Sequence, residues 1–397
     1  MIKMEAKNLK PSLRIKGFTG NWKICKLSEL YEFSKGKGLP LDSFYDDKDS
    51  LGVAYGHLYT KYAEVINQVT LSSNDERGVL SQKGDILFPG SSTVPFGTAQ
   101  SNAIMLDNVK LGGDVIIARA KSTKIYAPFM SYQINAQRKK LFPITVGTTI
   151  THMYGKDISA IEYKFPKFDE QVKIGKTLER LDSFIVLQQR KYEKLINIKK
   201  ALLEKMFPKN GEAVPKLRFK GFTDTWEQHE LDFLANKFDN LRVPVSAVDR
   251  VPGNTPYYGA NGVQGYVEGC THKGEFILVA EDGANYLKNY PVQYVNGEVW
   301  VNNHAHVLQG KVNFADTKFL GYAISQTNIE PFLVGGGRAK LNASTMMKIM
   351  ILIPKNTSEQ QRIGLLFENL DSLINLQQRK YEKLVNVKKA LLQKMFI

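Results

Sequence analysis

The chain has 397 residues, a formal net charge of +15, 43% hydrophobic residues and 23% charged residues, which is enough for two or three domains with proper cores and too apolar for a disordered chain. Two cysteines, Cys25 and Cys270, exclude a disulfide framework and suit a reducing cytoplasm. No signal-length apolar stretch opens the sequence, and runs such as 349–354 (IMILIP) are far too short to span a bilayer, so a soluble intracellular protein is expected. The basic excess points to nucleic acid, ahead of an acidic partner or a membrane surface.

In chain order, the first recognisable phrase is 11–30, PSLRIKGFTGNWKICKLSEL. It returns at 215–234 as PKLRFKGFTDTWEQHELDFL, with Pro, Leu, Arg, Lys, Gly, Phe, Thr and Trp matching at an offset of 204. Two inserts follow these phrases, about 31–165 and 232–352, with little direct similarity but one order of features. Residues 84–89 (GDILFP) and 274–280 (GEFILVA) read as buried strands entered through a glycine. Residues 114–119 (DVIIAR) and 305–309 (AHVLQ) are the next strand-like runs, and 128–137 and 318–326 have helical spacing. Turns at 146–149 and 334–338 come next. Each insert then closes on a strand ending in proline, at 161–166 and 350–354.

After each insert comes a long helix. Residues 181–207 and 370–396 are identical at 22 of 27 positions, 189 apart. A near-copy of that length marks a duplicated unit. In the first copy Leu181, Ile185, Gln188, Tyr192, Leu195, Lys199 and Leu202 recur at alternating steps of four and three, the seam of a coiled coil. Leu370, Ile374, Gln377, Tyr381, Leu384, Lys388 and Leu391 repeat it. Residues 170–207 hold no proline, so a straight helix there would reach roughly 57 Å. Antiparallel pairing of the two copies as a spacer is preferred to a long solvated helix packed on its own domain, since neither seam has another apolar partner of that length. Residues 190–209 and 379–397 each contribute +5 to the net charge.

The expected fold is mixed α/β with a pseudo-twofold internal repeat: two domains, 1–167 and 210–356, and two long spacer helices, 168–209 and 357–397. Chemistry within the chain is poorly supported. Gly335-Gly336-Gly337 lacks the strand and helix context of a cofactor loop, and no GxxxxGK[ST] phosphate loop occurs. Asp157, Glu162 and Lys164 imitate a nuclease set but read as structural. Cys270/His272 and His304/His306 lack tight zinc spacing, so no metal is expected.

The phrases together resemble the specificity subunit of type I restriction–modification systems, over essentially the whole chain. The carriers are the helices opened by Phe165-Pro166-Lys167 and Ile353-Pro354-Lys355, their Glu-Gln and Ile-Gly pairs, and LDS, QQRKYEKL and KKALLxKMF. RIKGFT and RFKGFT, each with a tryptophan three residues on, and GHLY (56–59), GGDVIIAR (112–119) and PYYGAN (256–261) add to them. The resemblance implies a non-catalytic DNA-recognition subunit in which each domain reads half of a bipartite target in double-stranded DNA. It further implies two methyltransferase subunits that use S-adenosylmethionine on adenine N6, and two ATP- and Mg-dependent translocase/nuclease subunits. The chain itself would need no cofactor. A stand-alone DNA-modifying enzyme and a free-standing DNA-binding regulator remain the alternatives.

Candidate DNA contacts follow from side-chain chemistry. Lys35-Gly36-Lys37-Gly38 puts two cations on a flexible backbone for phosphate contact, or is an ordinary exposed turn. Ser91, Ser92 and Thr93 follow a strand, and Thr148 and Thr149 lie in the glycine-containing turn. Tyr257, Tyr258 and Asn261 read as a glycine-punctuated loop able to stack on or pair with bases. Asn285, Arg338 and Lys340 sit on later loops.

Overall fold

The computed structural model describes residues 10–47, 49–94, 96–209, 211–335 and 339–396. The chain forms two compact units, Met1–Gln189 with Lys380–Ile397, and Arg190–Arg379. Each is built on the same plan.

In the first unit, strand Lys23–Lys26 pairs antiparallel with Glu162–Phe165, so the two ends of the insert are stitched together. Between them runs a five-stranded sheet in the order Tyr31–Lys35, Val115–Ala120, Asp85–Pro89, Asn102–Ile104, Val65–Ile66, with the last pair parallel. In the second unit Glu227–Glu230 pairs with Met350–Ile353. Its sheet runs Ala235–Lys237, Ala305–Gly310, His272–Ala280, Val292–Val301, Pro252–Gly259, Gly262–Val267. Its fourth and fifth strands are again parallel, and a sixth is added by a hairpin.

The unbroken apolar runs have a physical cause: these sheets are covered on both faces. Ile86, Phe88, Ile116 and Ala118 enter one core cluster, and Leu87, Val115 and Ile117 enter another. Ile277, Val279 and Leu308 lie opposite Phe276, Leu278 and Val307 in the second unit. That is the period of two expected of successive strand residues. Helices Ala127–Ala136 and Thr317–Ser325, both expected from their spacing, cover one face.

The long helices are Phe168–Met206 and Thr357–Met395, 39 residues each. Each unit contains a segment of both. In the first, Ile174 and Leu178 share a cluster with Leu391 and Met395, and Asp182 meets the Lys388 Nζ at 2.7 Å. In the second, Ile363 and Phe367 pack with Leu202 and Met206, and Lys199 meets Asp371 at 2.5 Å. Rising numbers on one helix therefore meet falling numbers on the other: the segments are antiparallel. Between 183 and 201 only Ile185, Gln188, Tyr192, Leu195 and Lys199 are shielded from solvent. Between 372 and 390 only Ile374, Gln377, Tyr381, Leu384 and Lys388 are. The seam is as the spacing predicts.

The repeated phrases turn out to be joints. Arg14 makes a bidentate bond to Glu170, and Arg218 makes the same bond to Glu359. Gln171 donates to the Pro166 carbonyl and accepts from the Tyr126 N–H; Gln360 does so with Pro354 and Asp316. A Cβ on Gly175 would stand 2.5 Å from the Tyr126 ring, and one on Gly364 would stand 2.9 Å from the Phe319 nitrogen. The Glu-Gln and Ile-Gly pairs thus let each helix lie against its domain at close range. Trp22 packs edge-on to Phe129, Trp226 to Phe319, and Phe396 and Phe207 complete the two clusters. Among the described residues no helix is long and apolar enough to cross a membrane.

Candidate nucleic-acid interface

In both units the candidate residues gather at the same end of the sheet. In the first unit this is where Tyr31–Lys35 and Asp85–Pro89 end and Val115–Ala120 begins. Lys35 pairs with Asp114 at 2.6 Å, and the Ser91 hydroxyl donates to the other Asp114 oxygen at 3.0 Å. Burial alone would raise the Asp114 carboxyl, but donation from Lys35 and Ser91 outweighs it and holds it below its ordinary value. Asp114 takes a left-handed φ of 59°, a conformation in which Asp is one of the few tolerated residues. A narrow hairpin closed by mutual Val146–His152 backbone bonds presents Thr148 and Thr149 at its exposed tip.

The backbone around Lys35 is not loose, contrary to the expectation of a flexible run. Gly36 donates to Val115 and Lys37 to Leu111, and a Cβ at Gly36 would collide with the Gly112 carbonyl. The glycine is there because the backbone at Leu111 and Gly112 passes too closely for a side chain. Lys37 and Thr93 are exposed, while Ser91 and Ser92 are buried and engaged with Asp114 and Val94.

The second unit repeats the arrangement with different residues. Val334 and Lys340 exchange backbone bonds where Val146 and His152 do so in the first unit, and Gly336, Gly337 and Arg338 lie outside the described residues. Beneath this pair is a polar network. Glu281 accepts from Arg242 at 2.7 Å and pairs with Lys340 at 3.1 Å, and His306 bonds Asp239 at 2.7 Å and the Leu341 carbonyl at 2.8 Å. Burial pushes both carboxyls up. At Asp239 the bonds from His306 and the Val307 N–H, with the Arg242 charge, together outweigh this; at Glu281 Arg242, Lys340 and His306 do, and both stay below their ordinary values. The Asn261 side chain donates to the Gly283 carbonyl and accepts from the Asn285 N–H, binding hairpin turn to loop.

Asn261, Asn285 and Lys340 are therefore brought together, but Asn261 spends its amide on holding the loop. The loop assignment of Tyr257 and Tyr258 is corrected. Both lie on strand Pro252–Gly259, and only Ala260-Asn261 forms the turn. The Gly259 and Gly262 that suggested a loop are the flanks of a two-residue hairpin connection. Tyr257 is 1% exposed, bonds the backbone of Val245 through its hydroxyl and carries the Arg250 guanidinium over its ring.

The remaining polar motifs have structural partners. His272 is flanked by Thr271 and the Phe238 carbonyl, and His304 bonds Asp282 at 2.5 Å. Among the described residues no group of three or more His, Cys, Asp or Glu could hold a metal ion. Asp157 lies on the short helix Gly155–Ser159, while Glu162 and Lys164 lie on the strand paired with Lys23–Lys26. Asp114, Arg242 and Glu281 were not legible as site residues, and His306 was weighed only as part of a metal pair. Only Asp114, placed directly after Gly112-Gly113, carried a local signal.

Exposed cations at such sheet ends should act through phosphates. Lys37→Ala is expected to weaken binding about equally on target and non-target duplexes and to reduce the slope of log K against log salt by about 1. A salt series on both duplexes measures it, and an unchanged slope would remove Lys37 from the contact.

The description "Type I restriction modification DNA specificity domain" matches residues 19–197 and again 223–386. A Haemophilus influenzae protein named as a type I restriction enzyme specificity subunit is 42% identical over 158 residues, covering 40% of each chain. The match thus spans less than half of that relative's length. The type I restriction enzyme MjaVIII specificity subunit of Methanocaldococcus jannaschii is 19% identical over 94% of this chain and 91% of its own. The crystal structure of the S subunit of an M. genitalium type I restriction–modification system superposes with a TM-score of 0.74 at 15% identity, over 98% of this chain and 99% of that one. That likeness is one of fold.

Proposed function

Because the chain belongs to the type I restriction–modification DNA specificity family, we propose that it reads a bipartite DNA target, one half by each unit, without catalysing a reaction itself. The observation that carries this reading is the duplication: two matched frames with the same joints present unlike polar loops at the same sheet end. A frame kept constant while its loops differ suits two readers of different sequence.

The long helices are the constant part. Seam pairing fixes their register, and each runs unbroken from one unit into the other, which suits a ruler for the gap between half-sites. Their outer faces carry Phe184, Leu187, Leu373 and Leu376 at 45–56% exposure among lysines and arginines. Apolar side chains in such a setting favour docking of protein partners. On this reading the partners are two adenine-N6 methyltransferase subunits and two restriction/translocase subunits, which bring S-adenosylmethionine, ATP and Mg.

The test is reconstitution. Purified chain with labelled S-adenosylmethionine and DNA should transfer no methyl group, and addition of the cognate methyltransferase subunits should label adenines at one sequence. Robust transfer by the chain alone would contradict the reading.

A further inference from the structure

The sheet end of the first unit also holds a cleft of about 310 Å³ beside the Lys35–Asp114 pair. Phe33, Ile116 and Met153 are among its lining residues, and Met153 is buried while Phe33 is half-buried. A Cβ built on Gly155 meets Ile116 and Phe33 at 3.4–3.5 Å, so these three residues form one continuous apolar wall. Lys35, Tyr154 and Lys156 supply its accessible side, with Tyr154 57% exposed. Two ammonium groups against the single carboxylate of Asp114, itself engaged with Lys35 and Ser91, leave the cleft favouring an anion.

An apolar wall, an accessible phenol ring and a cationic edge suit one kind of ligand: a planar ring with polar edges that carries a phosphate. We propose that this cleft receives a single nucleotide, its base against Phe33 and Tyr154 and its phosphate between Lys35 and Lys156. The volume is ample for one base and its sugar. The inference rests on the DNA-reading role, which places nucleotides of the half-site within reach of this sheet end. Aromatic faces accept any base by stacking, and a cationic groove tracks the backbone, the usual means of holding an unpaired nucleotide. A free mononucleotide offers the same chemistry.

The test uses the full chain and a duplex carrying its mapped target. Single mismatches are placed at each position of the half-site read by the first unit. An ordinary contacted pair loses affinity on mismatch, whereas a nucleotide held outside the stack gains it, because the unpairing cost is already met. One position, other than the methylated adenine whose extrusion belongs to the partner enzyme, should bind about tenfold tighter as a mismatch. Tyr154→Ala and Lys156→Ala, both at accessible positions, should abolish that gain and keep the thermal unfolding profile. In a second arm the four deoxynucleoside monophosphates are titrated against the chain by NMR. Saturable binding lost in both variants, without any mismatch gain, would assign the cleft to free nucleotides. Target binding with neither a gaining position nor mononucleotide binding would overturn the proposal. Failure to bind target DNA at all would instead count against the DNA-reading role.

Discussion

Replacing Arg218 with Ala should lower the stability of the second unit by about 3–5 kcal/mol, because it strands the Glu359 carboxylate without its partner. The Glu359 side chain is 0% exposed and that of Arg218 11%. Two parallel bonds of 2.7 and 2.8 Å join them across 141 residues of sequence. Donation to the Glu359 carboxylate raises the Arg218 guanidinium above its ordinary value. The cost belongs to breaking the pair, not to having built it, so Arg218→Met combined with Glu359→Leu should lose far less. Denaturant unfolding followed on each unit's own signal would show it, since a two-unit chain need not unfold in one step. Arg14→Ala should act likewise on the first unit through Glu170, whose side chain is 2% exposed. Equal losses for the single and double variants at 218 and 359 would mean that the pair is not the source.

Trp226→Ala should cost a further about 3–5 kcal/mol in the same unit, by transfer and cavity terms together. The ring is 3% exposed and lies edge-on to Phe207 at 5.9 Å and Phe319 at 5.6 Å. Phe207 follows the long helix, Phe319 belongs to the covering helix, and the tryptophan belongs to the repeated phrase, so one side chain ties three parts of the joint. Trp226→Phe should be much milder. The ring contacts survive in part, and the indole N–H it removes has no acceptor among the described residues, so no bond is broken. Trp22 is equivalent, 1% exposed and packed on Phe129 with the same orphan N–H. Thermal unfolding of the four variants separates ring packing from the nitrogen.

Legibility followed the range of the interactions. The helix seam could be read because residues three and four apart on one helix share a face, and its Gln and Lys positions stood out against apolar neighbours. The strands could be read because burial on both faces leaves unbroken apolar runs, as in 86–89. The joints were visible as repeated phrases, but their purpose was not. Nothing local says that Gly175 must clear the Tyr126 ring, or that Arg14 finds Glu170 156 residues away. The polar network beneath Val334 and Lys340 was hidden for the same reason, since Asp239 and His306 are separated by 67 residues. Histidines at 304 and 306 invited a metal reading, and only the fold shows each beside its own carboxylate. Tyr257 and Tyr258 were misplaced because glycines that bound a hairpin turn look, in sequence, like glycines that make a loop.

The division between constant frame and interchangeable readers is tested most directly by exchange. Residues 31–165 are replaced with the corresponding insert of another family member, the chimera is expressed with its methyltransferase partner, and methylated adenines are mapped by long-read sequencing. One half of the recognised sequence should change, while the other half and the gap stay as they were. A change in both halves would contradict the division.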